Sequence, residues 1–286
     1  MRVAFRLVDV FTERPLAGNQ LCVIPRTPED LDPSLMQALA AEIGFSETTF
    51  VVHAERDRYR VRIFTPGREL PFAGHPTLGT AYVLAAEGLV GSPAVQEVTA
   101  GEIPVEMDTT RGSAWMRQLP AVFGTQFPHP EAAVRAAGLT AADLHQELRP
   151  QVVSTGLRQL LVPVRTAEQV AAARPDQEAV NEVTLEAGAD GLYLFALADG
   201  GIKARFFGPG VGVDEDPATG SAAGPLGAYL ADRGVISGEI VIRQGEEIGR
   251  PSVLYVDPEL EGDTWRVRVG GGVQLVGRGE FDLPAR

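Results

Sequence analysis

Apolar positions along the chain follow two rhythms. Met1-Arg2-Val3-Ala4-Phe5 alternates as a strand does, and Val51 to Phe64 and Leu192 to Phe207 carry β-branched and aromatic residues at strand lengths, each broken by a charged or glycine turn. Residues 76–87 and 222–233 are mostly apolar, with alanine and glycine throughout and few polar residues before the last turn. That pattern predicts helices buried on most sides. Asp32 with Pro33 behind it predicts a capped helix that runs to about Glu42 and stops at Gly44. Alanine-rich segments at 131–147 and 166–187 predict peripheral helices, and 95–119 and 238–282 are rich in strand-forming residues.

The pattern is written twice. Arg62-Ile63-Phe64-Thr65-Pro66-Gly67 returns 143 residues later as Arg205-Phe206-Phe207-Gly208-Pro209-Gly210, each time closing a strand pair that begins near Thr48 or Leu192. After a three-residue insertion, Glu69-Leu70-Pro71-Phe72-Ala73-Gly74-His75 returns as Glu215-Asp216-Pro217-Ala218-Thr219-Gly220-Ser221, followed by the two apolar helices. A period this long means domain duplication, because solenoid repeats are much shorter. The expectation is an α+β chain of two similar lobes, residues 1–120 and 121–286, with the last strand available to pack on the first lobe. His75 precedes Pro76, and proline suits the first helical position, so His75 is the expected cap of the first buried helix; Ser221 takes the equivalent place in the second.

Composition narrows the chemistry. With 44% apolar and 22% charged residues in 286, the chain is of globular type, and no apolar run approaches membrane-spanning length. A start without a basic region and apolar signal core points to the cytoplasm. A net charge of -13 without a basic stripe argues against nucleic acid as a partner. Cys22 is the only cysteine and lies in an apolar run, which rules out internal disulfides and cysteine-rich metal sites. Lys203 is the only lysine, and it stands in a strand-like context. No phosphate-loop or dinucleotide fingerprint occurs; Gly208-Pro209-Gly210-Val211-Gly212 has the wrong spacing and precedes acidic residues. His53, His129 and His145 have no metal-ligand spacing with one another or with His75. No metal or nucleotide cofactor is expected.

Two features remain as candidates. A helix start presents unsatisfied N–H groups and partial positive charge, so Gly74-His75 and Gly220-Ser221 are either ordinary helix starts or paired anion sites that would face one cleft between the lobes. Glu47, between Phe45 and Phe50, is either a strand-edge carboxylate or a partly desolvated general base. Asp216 stands in Asp214-Glu215-Asp216-Pro217, where three carboxylates crowd together; it either caps the second helix or serves the site.

At these residues the sequence resembles the PhzF-like family of phenazine biosynthesis. The resemblance rests on Val8-Asp9-Val10-Phe11-Thr12, Gly18-Asn19, Ser46 through Phe50, Gly74 through Thr77 and Glu215 through Ala222, with Ser154-Thr155-Gly156 and Leu160 through Pro163 in support. Gln20-Leu21 after Gly18-Asn19 departs from the Pro-Ala or Pro-Leu more usual there. The resemblance implies a fold similar to diaminopimelate epimerase, each lobe wrapping a sheet around a central helix, and a cofactor-free homodimer with its site between the lobes. It implies isomerisation of a dihydro-hydroxyanthranilate type of substrate, with Glu47 moving the proton, His75 and Asp216 assisting, and Gly74, Gly220, Ser221 and Asn19 binding a small anionic substrate. A carboxylate-pair epimerase or racemase is the competing enzyme. A two-thiol one is excluded, since Ala73 and Ala218 stand near the positions where such enzymes carry cysteine. A non-catalytic ligand-binding protein is the competing reading from another class.

Overall fold

The computed structural model describes residues 1–284. Internal packing separates two units: Met1–Arg117 together with the described residues from Gly270 onward, and Gln118–Val269.

The first unit is built from β1 (Arg2–Val10), β2 (Asn19–Ile24), α1 (Pro33–Ile43), β3 (Glu47–Ala54), β4 (Arg58–Phe64), β5 (Glu69–Leu70), α2 (Gly74–Ala86), β6 (Ala94–Val98), β7 (Gly101–Asp108) and β8 (Ser113–Arg117). Strand β1 pairs antiparallel with β2, β2 parallel with β3, β3 antiparallel with β4, and β4 parallel with β6, which leads through β7 to β8. Each parallel pair needs a crossover, and α1 and the β5–α2 segment supply them. Residues 273–282 pair antiparallel with β1, and the Val273 N–H donates to the Gly112 carbonyl beside β8, so the sheet closes on itself. Helix α2 runs inside, touching β1, β2, β3, β6, β7 and β8, and most of its residues are buried. Helix α1 lies on the other face, where Met36, Leu39 and Ala40 pack with Cys22, Ile24, Phe50 and Phe64.

Local chemistry accounts for these elements. The Asp32 carboxylate accepts from the Ser34 N–H at 2.8 Å and Pro33 opens α1; Gly44 ends it at φ +70°, as expected. Inside the barrel, α2 approaches the sheet at Gly79, where an added Cβ would stand 2.6 Å from Leu21 and 2.9 Å from Val10.

The second unit repeats the plan with β9 (Val122–Gln126), α3 (Pro130–Ala136), β10 (Gln151–Ser154), β11 (Arg158–Pro163), α4 (Ala167–Ala172), α5 (Gln177–Ala187), β12 (Gly191–Ala198), β13 (Gly201–Gly208), β14 (Val213–Asp216), α6 (Gly220–Asp232), β15 (Ile240–Gln244), β16 (Ser252–Glu261) and the start of β17 (Thr264–Asp282). Strand β11 is parallel to β12 and β13 is parallel to β15, as β2 is to β3 and β4 to β6. The Gln118 and Ala121 N–H groups donate to the Val267 and Trp265 carbonyls, and β9 pairs with β10, so this sheet closes too. Helices α3, α4 and α5 cover its outer face through Val134, Val170 and Val180. Helix α6, buried along nearly its whole length, touches β10, β11 and β16.

The repeat extends to side chains. Arg62 grips Glu69 through two bonds of 2.8 and 2.6 Å and stacks over Phe64; Arg205 grips Glu215 through two of 2.8 Å and stacks over Phe207. Bidentate pairs of this kind fix the turn that leads into each central helix.

The tight seat of α2 makes Gly79→Ala a test of the packing. Helix propensity alone favours alanine by about 1 kcal/mol. The expected outcome is the opposite sign, a loss of about 1–3 kcal/mol from overpacking against Leu21 and Val10, read as a lower urea midpoint.

Candidate active site

Glu47 opens β3 opposite Leu21 of β2. Side chains alternate along a strand, so Glu47 shares its face with Thr49, whose hydroxyl meets that of Thr80 on α2 at 2.8 Å. Glu47 therefore faces the inside of the barrel, and its side chain is 14% exposed. Phe50 stands on the opposite face and packs against α1 with Phe45, so neither phenylalanine desolvates the carboxylate as the sequence suggested. Its neighbour is His75, the second residue of α2, whose Nε2 lies 3.5 Å from Glu47 Oε2. The same Nε2 lies 3.2 Å from the Gln20 carbonyl, which can only accept, so Nε2 carries the hydrogen. Burial pushes the His75 ring down to about 3, against the opposing pull of the Gln20 bond. The group beside Glu47 is a neutral ring whose Nε2–H is held by the Gln20 carbonyl. Asn19 opens β2 and is buried on the face that carries Leu21. The loop before it needs glycine at 18, where φ is +70° and a Cβ would collide with the Val10 carbonyl.

In the second unit, Asp216 ends β14, is 7% exposed, and accepts the Thr219 hydroxyl at 2.6 Å. The crowding of Asp214, Glu215 and Asp216 is relieved in two ways: strand alternation turns Glu215 to the face opposite Asp216, where Arg205 holds it, and Asp214 is exposed while Asp216 is buried. Asp216 is not a helix cap. The capping residues are Ala73 for α2 and Thr219 for α6, so His75 and Ser221 both stand second in their helices and cap neither. Proline is tolerated throughout a first turn, whose N–H groups have no acceptor within the helix, and Pro76 marks the turn without marking its first residue.

Ala222 and Ala223 donate to the Thr219 carbonyl at 3.0 and 2.9 Å. Helix geometry leaves the N–H groups of Gly220 and Ser221, and those of Gly74 and His75, without an intrahelical acceptor. Each pair is a ready donor set for an anion.

Several supporting residues went unnoticed in the sequence. Gln118, buried, donates to the Gly220 carbonyl at 2.9 Å and accepts the Thr155 hydroxyl at 2.6 Å; a side chain at Gly224 would collide with it. This gives Ser154-Thr155-Gly156 a bracing role at the α6 start. Gln244 and Gln96, also buried, sit beside the two helix starts. A glutamine in a strand carries no sign of burial, so only its position on the inner face could have marked it.

Pairing registers show where the duplicated units differ. Thr48 pairs with Phe64 as Leu192 pairs with Phe207, which makes Gly191 the counterpart of Glu47. A side chain on Gly191 would strike the Phe206 ring. Ile63 pairs with Leu70 as Phe206 pairs with Asp216, which makes Leu70 the counterpart of Asp216. The two carboxylates thus occupy different places in the repeat. Among the described residues, no group of three or more His, Cys, Asp or Glu is placed to hold a metal ion. Burial pushes the Cys22 thiol up to about 12, so it remains protonated. No helix among the described residues is long and apolar enough to cross a membrane.

The sequence model of the phenazine biosynthesis-like protein family matches residues 8–279. The trans-2,3-dihydro-3-hydroxyanthranilate isomerase of Pseudomonas aeruginosa is 37% identical over 262 residues, covering 90% of this chain and 91% of its own. The crystal structure of a PhzF-family phenazine biosynthesis protein from Bacillus anthracis superposes with a TM-score of 0.88 at 28% identity, covering 99% of this chain and 100% of its own. A hydroxyproline epimerase from Agrobacterium vitis shares the fold at 13% identity, with a TM-score of 0.69 over 98% of this chain and 92% of its own.

The neutral state of His75 has a consequence for stability. The ring stays uncharged in the folded protein down to about pH 3 and takes a proton in the unfolded chain below about 6.5, so stability falls as pH drops through that interval. Between pH 6.5 and 5 the wild type is expected to lose about 1.5 kcal/mol more than His75→Asn. Urea midpoints of both proteins at the two pH values measure it.

Proposed function

This chain belongs to the phenazine biosynthesis-like protein family and is an isomerase, and we propose that it moves a proton within a small carboxylate-bearing substrate without a cofactor, Glu47 taking the proton and returning it. The observation that carries this reading is the setting of Glu47: a carboxylate on the inner face of β3, partly exposed, with a neutral histidine N–H 3.5 Å away. An imidazolium there would form a lasting ion pair. A neutral ring brings no positive charge to hold the carboxylate ionised, and so leaves it able to accept and release a proton.

In the same reading Asp216 assists the transfer, and the N–H groups of Gly74, Gly220 and Ser221 receive the substrate carboxylate, with Asn19 as a further contact. The non-equivalent places of Glu47 and Asp216 support a single shuttling base over a matched pair such as an epimerase of duplicated fold would employ. The relatives' substrate, trans-2,3-dihydro-3-hydroxyanthranilate, is the first compound to test. The reading includes a cytoplasmic homodimer, which sedimentation of the purified protein checks for its dimeric part.

Turnover is measured on trans-2,3-dihydro-3-hydroxyanthranilate and on a panel of small cyclic hydroxy and amino acids in deuterated water, read by mass. Glu47→Gln is expected to keep fold and ligand binding and to retain less than about 1% of the wild-type rate, in keeping with the hundredfold or greater contribution of a general base. A variant that works at a substantial fraction of that rate removes Glu47 from the role. Dialysis against a chelator is expected to leave the rate unchanged, and a metal or chromophore needed for activity would contradict the cofactor-free step.

A further inference from the structure

Gln244 ends β15 and is fully buried. Two backbone groups fix the direction of its amide. The Asp216 carbonyl, which can only accept, lies 2.7 Å from Nε2, and the Thr219 N–H, which can only donate, lies 3.3 Å from Oε1. The second Nε2 hydrogen is then directed at Thr219 Oγ1, 3.0 Å away, and Oε1 also accepts the Tyr193 hydroxyl at 3.0 Å. Both donors and both acceptor sites of the amide are used. Thr219 Oγ1, having accepted from Gln244, turns its own proton to Asp216 Oδ2 at 2.6 Å. Burial, reinforced by the charge of Asp216, pushes the Tyr193 hydroxyl far above its ordinary range, so it stays a donor. Just beyond Gln244, the buried Lys203 holds Glu246 and Glu247 at 2.5 and 2.8 Å, which fixes the end of β15.

The first unit links the same three residue types, though from other places in the repeat: Tyr59 lies on β4 where Tyr193 lies on β12, and Thr77 lies within α2 where Thr219 precedes α6. Tyr59 donates to Gln96 Oε1 at 3.0 Å, Gln96 Nε2 donates to Thr77 Oγ1 at 2.7 Å, and the Thr77 hydroxyl donates to the Ala73 carbonyl at 2.8 Å. There the hydrogen bonds end in the backbone of the helix start. In the second unit they end in a carboxylate. Anchoring a helix start accounts for the bonds from Gln244 to the Asp216 carbonyl and the Thr219 N–H. It does not account for the bond from the Thr219 hydroxyl to the Asp216 side chain.

We propose that Tyr193, Gln244 and Thr219 are positioning residues that keep Asp216 Oδ2 a permanent hydrogen-bond acceptor, so that any proton on Asp216 resides on Oδ1 and only that oxygen takes part in proton transfer. The proposal rests on the reading above that Asp216 assists the reaction.

Thr219→Val keeps the branched shape and removes the hydroxyl. The carboxyl-carbon resonance of Asp216, assigned by its loss in Asp216→Asn, is followed against pH in protein labelled at aspartate. Loss of a donor to the charged form disfavours that form, so the Asp216 midpoint is expected to move up by about half a pH unit or more in Thr219→Val. Thr219→Ser is expected to restore it. Tyr193→Phe, which removes only the far hydroxyl, is expected to give a smaller shift in the same direction and replaces Thr219→Val should that variant not fold. Thr77→Val, which removes the hydroxyl that Gln96 holds in the first unit, is expected to lower stability and leave the Asp216 midpoint in place. On trans-2,3-dihydro-3-hydroxyanthranilate, kcat is expected to fall about tenfold or more in Thr219→Val while KM changes less than about threefold, the pattern of a lost transition-state interaction. An unchanged Asp216 midpoint in folded Thr219→Val overturns the positioning role, even where Asp216→Asn is inactive. A wild-type kcat in Asp216→Asn overturns the part given to Asp216 in the reaction, and the positioning role falls with it.

Discussion

Helices α2 and α6 have almost no polar face, and a helix of that kind must be covered on every side to stay out of water. Each sheet answers by closing around its helix. Closure leaves the first turn of the helix, with its unsatisfied N–H groups, as a place in the interior where polarity cannot be avoided. Gln118 and Gln244 are buried there because backbone groups at the α6 start and in the residues leading into it need partners away from water; Gln96 holds the Thr77 hydroxyl at the α2 start. Glu47 and His75 lie beside the start of α2, and Asp216 precedes the start of α6. The place for buried polar groups is therefore set by the burial of an apolar helix.

Duplication separates what both units share from what only one of them carries. The Arg–Glu clamps over Phe64 and Phe207 occur in both units. These serve the shared architecture. Glu47 against Gly191, Asp216 against Leu70, and His75 against Ser221 differ between the copies. Loss of symmetry at those places, within a symmetric frame, is what the proposed proton transfer would require: one base, with a different group to assist it.

Much of this architecture was legible in the chain. Asp32, Pro33 and Gly44 bounded α1 because capping and left-handed termination depend on local chemistry alone. The repeat predicted two units because sheet and helix periods recur in the same order. Other features depended on tertiary contacts and were misplaced. The caps of α2 and α6 lie two residues before the expected ones, since their side chains give no capping signal: alanine has none to give, and the Thr219 hydroxyl is engaged by Asp216. The surroundings of Glu47 were assigned to Phe45 and Phe50 by nearness in sequence, whereas strand alternation sends Phe50 to the opposite face. Gln244 lies 28 residues from the Asp216 carbonyl it holds, a distance that no local pattern spans.

Strand β17 runs through the junction at Val269 and Gly270, so that its residues 264–269 complete the second unit and its later ones belong to the first. Strand β1, made first, finds one of its two partners only in residues 273–282. On the ribosome, the N-terminal unit must wait with an open edge while the C-terminal unit is synthesised and acquires nearly all of its strands. The usual order of vectorial folding is thereby inverted: the half that emerges first is the last to be sealed, and its exposed edge during that interval is the stage of biogenesis at which a chaperone would matter most.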